Sequence, residues 1–318
     1  MSDETLTPDY EIPDADAHVH SVWDNSLNPV LTIAPGDVVR LDCRDTTDGQ
    51  IGPGSTAEDF AAVDTDPIHP LTGPIAIEGA EPGDVVAVDL LDFEHEGWGF
   101  TGYLPGAAGM GLLPEEFDEA GLHVWEFADG VARFVDGIEV PVDPFPGTVG
   151  LAPAETGAHD TTPPRDVGGN MDVKHLTAGS TVYLPVEVEG GLLSMGDCHA
   201  AQGDGEVCVT GIEAPMSVTA RVRLADRSIE QPQFETGGPF TPTGRDEPAY
   251  GTTGIGPDLY EATRKAIRHM IDHLTSERDL DRGEAYMLCS AAVDLKVNQV
   301  VDAPNWTVSA YLPESIFP

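Results

Sequence analysis

Lysine is almost missing from this 318-residue chain, with Lys174, Lys265 and Lys296 its only examples. Lysine and arginine together number 15 against 56 aspartates and glutamates, a formal net charge of -41. Contacts to nucleic-acid phosphates need a basic face, so no nucleic-acid partner is expected. Cysteine is scarce as well: Cys43, Cys198, Cys208 and Cys289 form no C-x-x-C pair and no short-loop framework. That argues against a disulfide scaffold or a zinc ribbon and for a reducing, cytoplasmic setting. No apolar run approaches the ~18 residues of a membrane span, and Met1 to Asp16 has neither the basic start nor the apolar stretch of a signal peptide. Neither membrane insertion nor secretion is expected.

The acidic excess runs along the whole chain, whereas an acidic protein with basic partners usually gathers its charge in a tail. In dilute buffer such a charge repels itself and destabilises the compact state. Concentrated salt screens the repulsion to within a few ångströms. The composition therefore predicts a halophilic protein from a salt-accumulating cytoplasm. Its apolar content of 40% is enough for a substantial core without a covalent staple. The length allows one large or two ordinary domains.

Pro29 to Val39 and Pro74 to Val86 share one pattern of β-rich run, Pro-Gly turn and β-rich run, and Leu176 to Pro185 repeats it with glycine alone. Proline presets the second turn position, and glycine accepts the positive φ of the third. Repetition of this unit predicts a sandwich or barrel-like architecture. One segment reads clearly as helix, Asp258 to Ser276, with Leu259, Ala262, Ile267, Met270, Ile271 and Leu274 on one stripe after a Gly-Pro-Asp start. His269 and His273 have ligand spacing on that helix but border the stripe and have no acidic partner motif. The segment Glu284 to Asp302 fits helix or buried strand equally. Gly97 to Gly121 and Gly147 to Asn170 are irregular and glycine-rich, and the first is a candidate to overhang a site.

Polar chemistry concentrates in Gly196-Asp-Cys-His-Ala-Ala-Gln-Gly-Asp-Gly-Glu206, which follows the apolar run Gly191 to Met195. If Asp197 and His199 continue a strand, their spacing of two places them on one face and Cys198 on the other. Asp204 and Glu206 repeat the spacing after a glycine turn. Imidazole with carboxylates suits zinc or a similar divalent ion, and three protein ligands leave a position for water. Upstream, Gly168-Gly-Asn-Met-Asp172 offers Asp172 as a further ligand and Asn170 as a partner for a polar substrate, against the alternative of a turn that satisfies its own backbone. His20 is a candidate ligand from the N-terminal segment. His69, biased toward an extended backbone by the following proline, is a candidate at the substrate. His95, His123, His159 and His175 lack partners in sequence and are expected at the surface or in loops.

These residues carry a resemblance. Gly168 to Asp172 and Gly196 to Val207 are similar to the central block of acetamidase/formamidase enzymes. His69 to Ile75 with Glu78 to Asp84, the opening Trp23-Asp24 with Pro29 to Thr32, and Glu284 to Ser290 with Gln299 to Asp302 extend the resemblance over nearly the whole chain. One departure is Arg165-Asp-Val167 before the paired glycines, where no histidine stands. The resemblance implies a mainly β fold with peripheral helices (α+β), and a homodimer or larger homo-oligomer. The expected layout is an acidic extension over 1–16 and a catalytic unit over 17–318, with helices gathered in the part beyond about 225.

The activity that follows is metal-dependent hydrolysis of small aliphatic amides such as formamide and acetamide to carboxylate and ammonia. Asp172, Asp197, His199 and His20 are the expected metal ligands, with zinc the favoured ion and a second ion such as calcium allowed. Glu206 is the expected general base and Asn170 the aid to the oxyanion, with His69 and Asp204 at the substrate. A thiolate mechanism at Cys198 would require that side chain to face the ligands, and a serine-lysine mechanism lacks a lysine beside a glycine- and serine-rich run. The alternatives left open are a non-catalytic metal- or ligand-binding β protein on the same scaffold, and an enzyme for a larger amide.

Overall fold

The computed structural model of the protein describes residues 7–106, 110–237, 248–301 and 303–318. The three repeated turns form as the sequence predicts. In each, the backbone N–H of the fourth residue donates to the carbonyl of the first: Asp37 to Ala34 (3.1 Å), Asp84 to Glu81 (3.0 Å) and Ser180 to Thr177 (3.0 Å). Gly36, Gly83 and Gly179 take the positive φ at the third position. Asp37 and Asp84 also accept from the backbone N–H of Ala34 and Glu81, which locks two of the turns from the side-chain end.

These turns feed two six-stranded sheets. The first runs in the order Tyr10–Ile12, Val38–Cys43, Met216–Ala225, Val85–His95, Thr181–Pro185 and Gln233–Glu235. Part of the expected N-terminal extension, Tyr10–Ile12, is thus its parallel edge strand, while residues 1–6 lie outside the described residues. The second sheet runs Gly168–Asn170, Phe145–Gly150, Leu193–His199, Leu71–Ile77 and Val19–His20, with Leu31–Ile33 also paired to Leu71–Ile77. Val39, Leu41, Val88, Leu90, Val218 and Val222 of the first sheet share one apolar core with Ile75, Ile77, Val149, Leu193 and Met195 of the second. The result is a sandwich rather than a barrel: among the described residues no sheet closes on itself.

A four-stranded sheet (Trp98–Tyr103, Gly121–Ala128, Val131–Arg133, Glu139–Pro141) and a three-stranded one (Ala249–Gly256, Trp306–Pro313, Asp294–Gln299) complete the β structure. Helix α1 is short, Ala57–Ala61. Helix α2 spans Leu259–Glu277, capped by Asp258, whose side chain accepts from the Glu261 N–H. Its buried stripe is Ala262, Ala266, Ile267, Met270, Ile271 and Leu274. Leu259, placed on that stripe by periodicity, is instead 39% exposed at the first residue of the helix. The ambiguous segment is both things in succession: α3 spans Arg282–Ala292 behind an Asp281/Glu284 capping box, and a strand begins at Asp294. Every residue from Ala285 to Ala292 is buried, which removes the amphipathic period that would have announced the helix. No described helix is long and apolar enough to cross a membrane.

Candidate functional site

The Leu193–His199 strand ends against Phe145–Gly150, with His199 opposite Phe145 and Gly196 opposite Thr148. Asp197 reaches the same site as His199, with Oδ1 3.7 Å from Nε2. The strand period is not the whole reason: Asp197 has φ 52, a left-handed kink that aspartate tolerates better than most residues. His69, Asp172 and Glu206 have φ 51, 49 and 43. Four candidate site residues thus hold a backbone conformation costly for a side chain with a Cβ, and such strain gathers where geometry serves function.

His199 is the hub. It is 1% exposed, and four carboxylates converge on its ring. Asp172 Oδ1 (4.0 Å), Asp197 Oδ1 (3.7 Å) and Glu213 Oε2 (3.1 Å) face Nε2, while Glu206 Oε1 lies 3.8 Å from Nδ1. Gly147 and Gly211 make this approach possible. A Cβ at Gly147 would lie 2.8 Å from Asp172 Oδ1 and 3.0 Å from His199 Nε2, and one at Gly211 would lie 2.8 Å from Nδ1. Asp197 accepts from Thr148 Oγ1 at 3.2 Å, and the same hydroxyl is 3.0 Å from Asn170 Oδ1. Asn170 Nδ2 donates to the Thr162 carbonyl.

So many acids in one dry place cannot all ionise without a counter-charge. Burial, reinforced by Asp197 and Glu213, pushes Asp172 up to about 7 against the pull of the His199 ring. Burial likewise raises Glu213 to about 7 and carries Glu206 well above the usual carboxylate range, with Asp172 adding to the latter. Asp197 goes the other way: burial opposes its charge, but His69, His199 and the Thr46 hydroxyl together hold it below the normal range. Burial also opposes a charged His199, yet the negative charge of Glu213 and Asp197 keeps the ring protonated well above its ordinary value.

Two ligand groups are compatible with a cation, Asp172-Asp197-His199 and His199-Glu206-Glu213, each with ligand atoms within 4.8 Å of one another. Tetrahedral donors about 2.1 Å from a zinc ion stand roughly 3.4 Å apart, and the three carboxylate oxygens stand 3.1, 3.7 and 4.0 Å from Nε2. Asp172 Oδ1 and Glu213 Oε2 are buried without a hydrogen-bond partner, as oxygens reserved for a cation would be.

Other sequence candidates lie elsewhere. His20 Nδ1 donates to the Val22 carbonyl at 2.8 Å, so Nε2 accepts from Ser194 Oγ at 2.9 Å, and both ring nitrogens are occupied away from the cluster. Asp204 and Glu206 share no returning strand, because residues 203–210 are a series of turns. Asp204 pairs with Lys174 at 3.4 Å, beside Asp294, while only Glu206 turns to His199. His69 does face the acids: its charge acts on Asp197 and Asp172, and its buried Nδ1 has no hydrogen-bond partner. Cys198 points away to Cys43, and that contact and burial raise its thiol well above normal. His269 bonds the Thr253 carbonyl and His273 stacks on Tyr250, so the helical pair binds nothing in common.

Glu213 is the residue that sequence reasoning missed. The signal was present, since it is the sole charged side chain between Val207 and Ala220.

The model of the Acetamidase/Formamidase family matches residues 6–158 and 154–318. A formamidase of Methylophilus methylotrophus is 32% identical over 95% of this chain and 90% of its own length. An acetamidase of Mycolicibacterium smegmatis is 33% identical over 73% of this chain and 71% of its own. Among solved structures, a gamma lactamase from Delftia acidovorans superposes with a TM-score of 0.90 at 29% identity, covering 97% of this chain and 93% of that one. An acetamidase from Bacillus halodurans gives 0.67 at 29% identity, covering 95% and 97%.

Proposed function

Because the chain belongs to the acetamidase/formamidase family, we propose that it is an amidase whose site at His199 binds a divalent ion and hydrolyses small aliphatic amides. One observation carries the reading: four carboxylates crowd a single buried imidazole, and two of their oxygens are buried with no hydrogen bond. Asp172, Asp197, His199 and Glu213 would hold the ion, zinc being the best match to mixed imidazole and carboxylate donors. A divalent ion there polarises a carbonyl and lowers the pKa of a water toward neutrality.

The remaining chemistry belongs to the chain. Glu206, with its carboxylate pKa raised by burial, takes the proton of the attacking water and returns it to the departing nitrogen. Water adds to the amide carbon, the C–N bond breaks, and carboxylic acid and ammonia leave. Asn170 has one N–H committed to Thr162 and a second free to reach the substrate oxygen. His69 offers its unpartnered Nδ1 to the substrate.

The similarity to a gamma lactamase at a TM-score of 0.90 supports a cyclic amide as a second substrate class. The charge of -41 supports a halophilic protein working in a salt-rich cytoplasm. Exposed Ile255, Val297, Val300 and Val301 around the three-stranded sheet support a homo-oligomer. The test is ammonia release from formamide and acetamide, and ring opening of γ-butyrolactam, in multimolar potassium chloride before and after chelation. Release lost on chelation and restored by zinc is the expected result; a folded, zinc-loaded protein inert toward all three would leave a non-catalytic binding protein.

A further inference from the structure

His199 belongs to both candidate ligand groups, one with Asp172 and Asp197 and the other with Glu206 and Glu213. A neutral imidazole has one lone pair to give. We propose that Gln202 decides the choice: it is a positioning residue that keeps a hydrogen on His199 Nδ1 and so presents Nε2, on the side of Asp172, Asp197 and Glu213, as the ligand nitrogen. The proposal rests on reading the site as a cation centre.

Gln202 is 7% exposed, and its side-chain oxygen lies 2.7 Å from Nδ1. Which end of an amide faces a neighbour is decided by its other bond. Here Nε2 of Gln202 donates to the Asp172 carbonyl at 3.1 Å, so the NH2 end must lie on that side and the oxygen toward the ring. A carbonyl oxygen only accepts, so Nδ1 must carry the hydrogen. The backbone around Gln202 is fixed in turn. Gly203 donates to the Ser290 carbonyl at 2.7 Å, and a Cβ at Gly203 would come 2.2 Å from Val293 O, so the C-terminal end of α3 and its cap clamp the segment. Gly211 walls the same edge of the ring. With Nδ1 thus occupied, Glu206 stays off the ring at 3.8 Å and keeps its oxygens for proton transfer. One glutamine therefore separates the ion-holding side of His199 from the proton-transfer side. Outer partners of this kind fix the tautomer of ligating histidines and change metal affinity by about 10–100-fold when removed.

The test uses the full-length protein in multimolar potassium chloride, with Gln202→Leu and Gln202→Glu. Leucine is chosen over alanine because Gln202 lines a cavity of about 40 Å³, and a smaller side chain would admit a water to replace the lost acceptor. Glutamate keeps the acceptor while losing the bond to Asp172. Zinc affinity is measured by competition with a chromophoric chelator, and the protonated ring nitrogen of His199 by two-bond ¹H–¹⁵N correlation in the zinc-loaded protein. The expected result is zinc on Nε2 and hydrogen on Nδ1 in the wild type, with zinc affinity about 10–100-fold weaker in Q202L and largely restored in Q202E. A folded Q202L that binds zinc like the wild type with the same tautomer overturns the proposal, as does an equal loss in Q202E or zinc on Nδ1 in the wild type. A wild type that takes up no zinc overturns the cation reading itself and this inference with it, and the wild-type titration tells that failure from the others.

Discussion

Glu213 and His199 meet twice: their backbones pair through an isolated antiparallel bridge, and Oε2 of one stands 3.1 Å from Nε2 of the other. Glu213 also exchanges both backbone hydrogen bonds with Phe100, and its Oε1 accepts from Gly211 N–H, so backbone and carboxylate are each tied down. A carboxylate held beside the buried His199 nitrogen is suited to the proposed metal sphere. Glu213→Gln keeps the size and hydrogen bonding but removes the charge, and should weaken zinc binding by more than about tenfold, the scale at which even outer partners act. Equilibrium dialysis against buffered zinc checks this; unchanged affinity would leave Glu213 a structural acid.

Glu206 is assigned a different duty, and the two should separate cleanly. Glu206→Gln should lower kcat by about 10²–10⁴-fold, the range of a lost general base, while bound zinc per chain stays the same. Loss of zinc in parallel with activity would move Glu206 into the ligand set.

Much of this was legible in the chain, and the exceptions have physical reasons. The Pro-Gly-Asp turns were readable because each element of their geometry is local: proline, glycine and an aspartate that closes on its own backbone. Helix α2 was readable because one face is dry, whereas α3 was ambiguous because all of its faces are. Asp172, Asp197, His199 and Glu206 stood out as polar residues at strand spacing among glycines. Their convergence, however, depends on left-handed φ values that no alternation pattern encodes. His20 and Asp204 had the right chemistry and spacing, yet Ser194 and Lys174 claim them in three dimensions. Glu213 reaches the site through backbone pairing with Phe100 and His199, contacts too distant in sequence to leave a local pattern.

Gly147 should not tolerate a methyl group. The added Cβ would lie 2.6 Å from the Asp197 carbonyl, 2.8 Å from Asp172 Oδ1 and 3.0 Å from His199 Nε2, so backbone or ligands must shift. Gly147→Ala is expected to cost about 1–3 kcal/mol, the usual cost of overpacking, and to impair zinc binding as well. Chemical denaturation with and without zinc measures both; a fully stable, zinc-binding variant would show that the site relaxes more easily than its packing implies.

The charge of -41 makes a prediction about solvent. Raising potassium chloride from about 0.1 M to multimolar shortens the screening length from about 10 Å to a few ångströms, which removes most self-repulsion between surface acids. The melting temperature should rise steeply over this range, and potassium chloride should act even where sulfate's general stabilising effect is absent. A melting temperature indifferent to chloride salts would mean that the acids are already well dispersed and that the halophilic reading is wrong.

Tyr286 ties the loop after Trp98–Tyr103 to the proposed base. Its hydroxyl accepts from the backbone N–H of Leu112 and Leu113 at 2.9 Å each and donates to the Val207 carbonyl, next to Glu206. The ring is fully buried and stacks on Phe117. Phenylalanine would keep that packing and strand the Leu113 N–H, because Leu112 N–H and the Val207 carbonyl also bond each other at 2.8 Å, at an expected cost of about 1–3 kcal/mol, the penalty for one buried unsatisfied group. Because Val207 follows Glu206 directly, the loss should also loosen the base, lowering kcat more than it raises KM, while zinc affinity, set on the far side of His199, stays near wild type. Steady-state kinetics on Tyr286→Phe in saturating zinc distinguishes this from simple destabilisation: normal kcat in the folded fraction would mean that Glu206 is held by its own turn and needs no support from the loop.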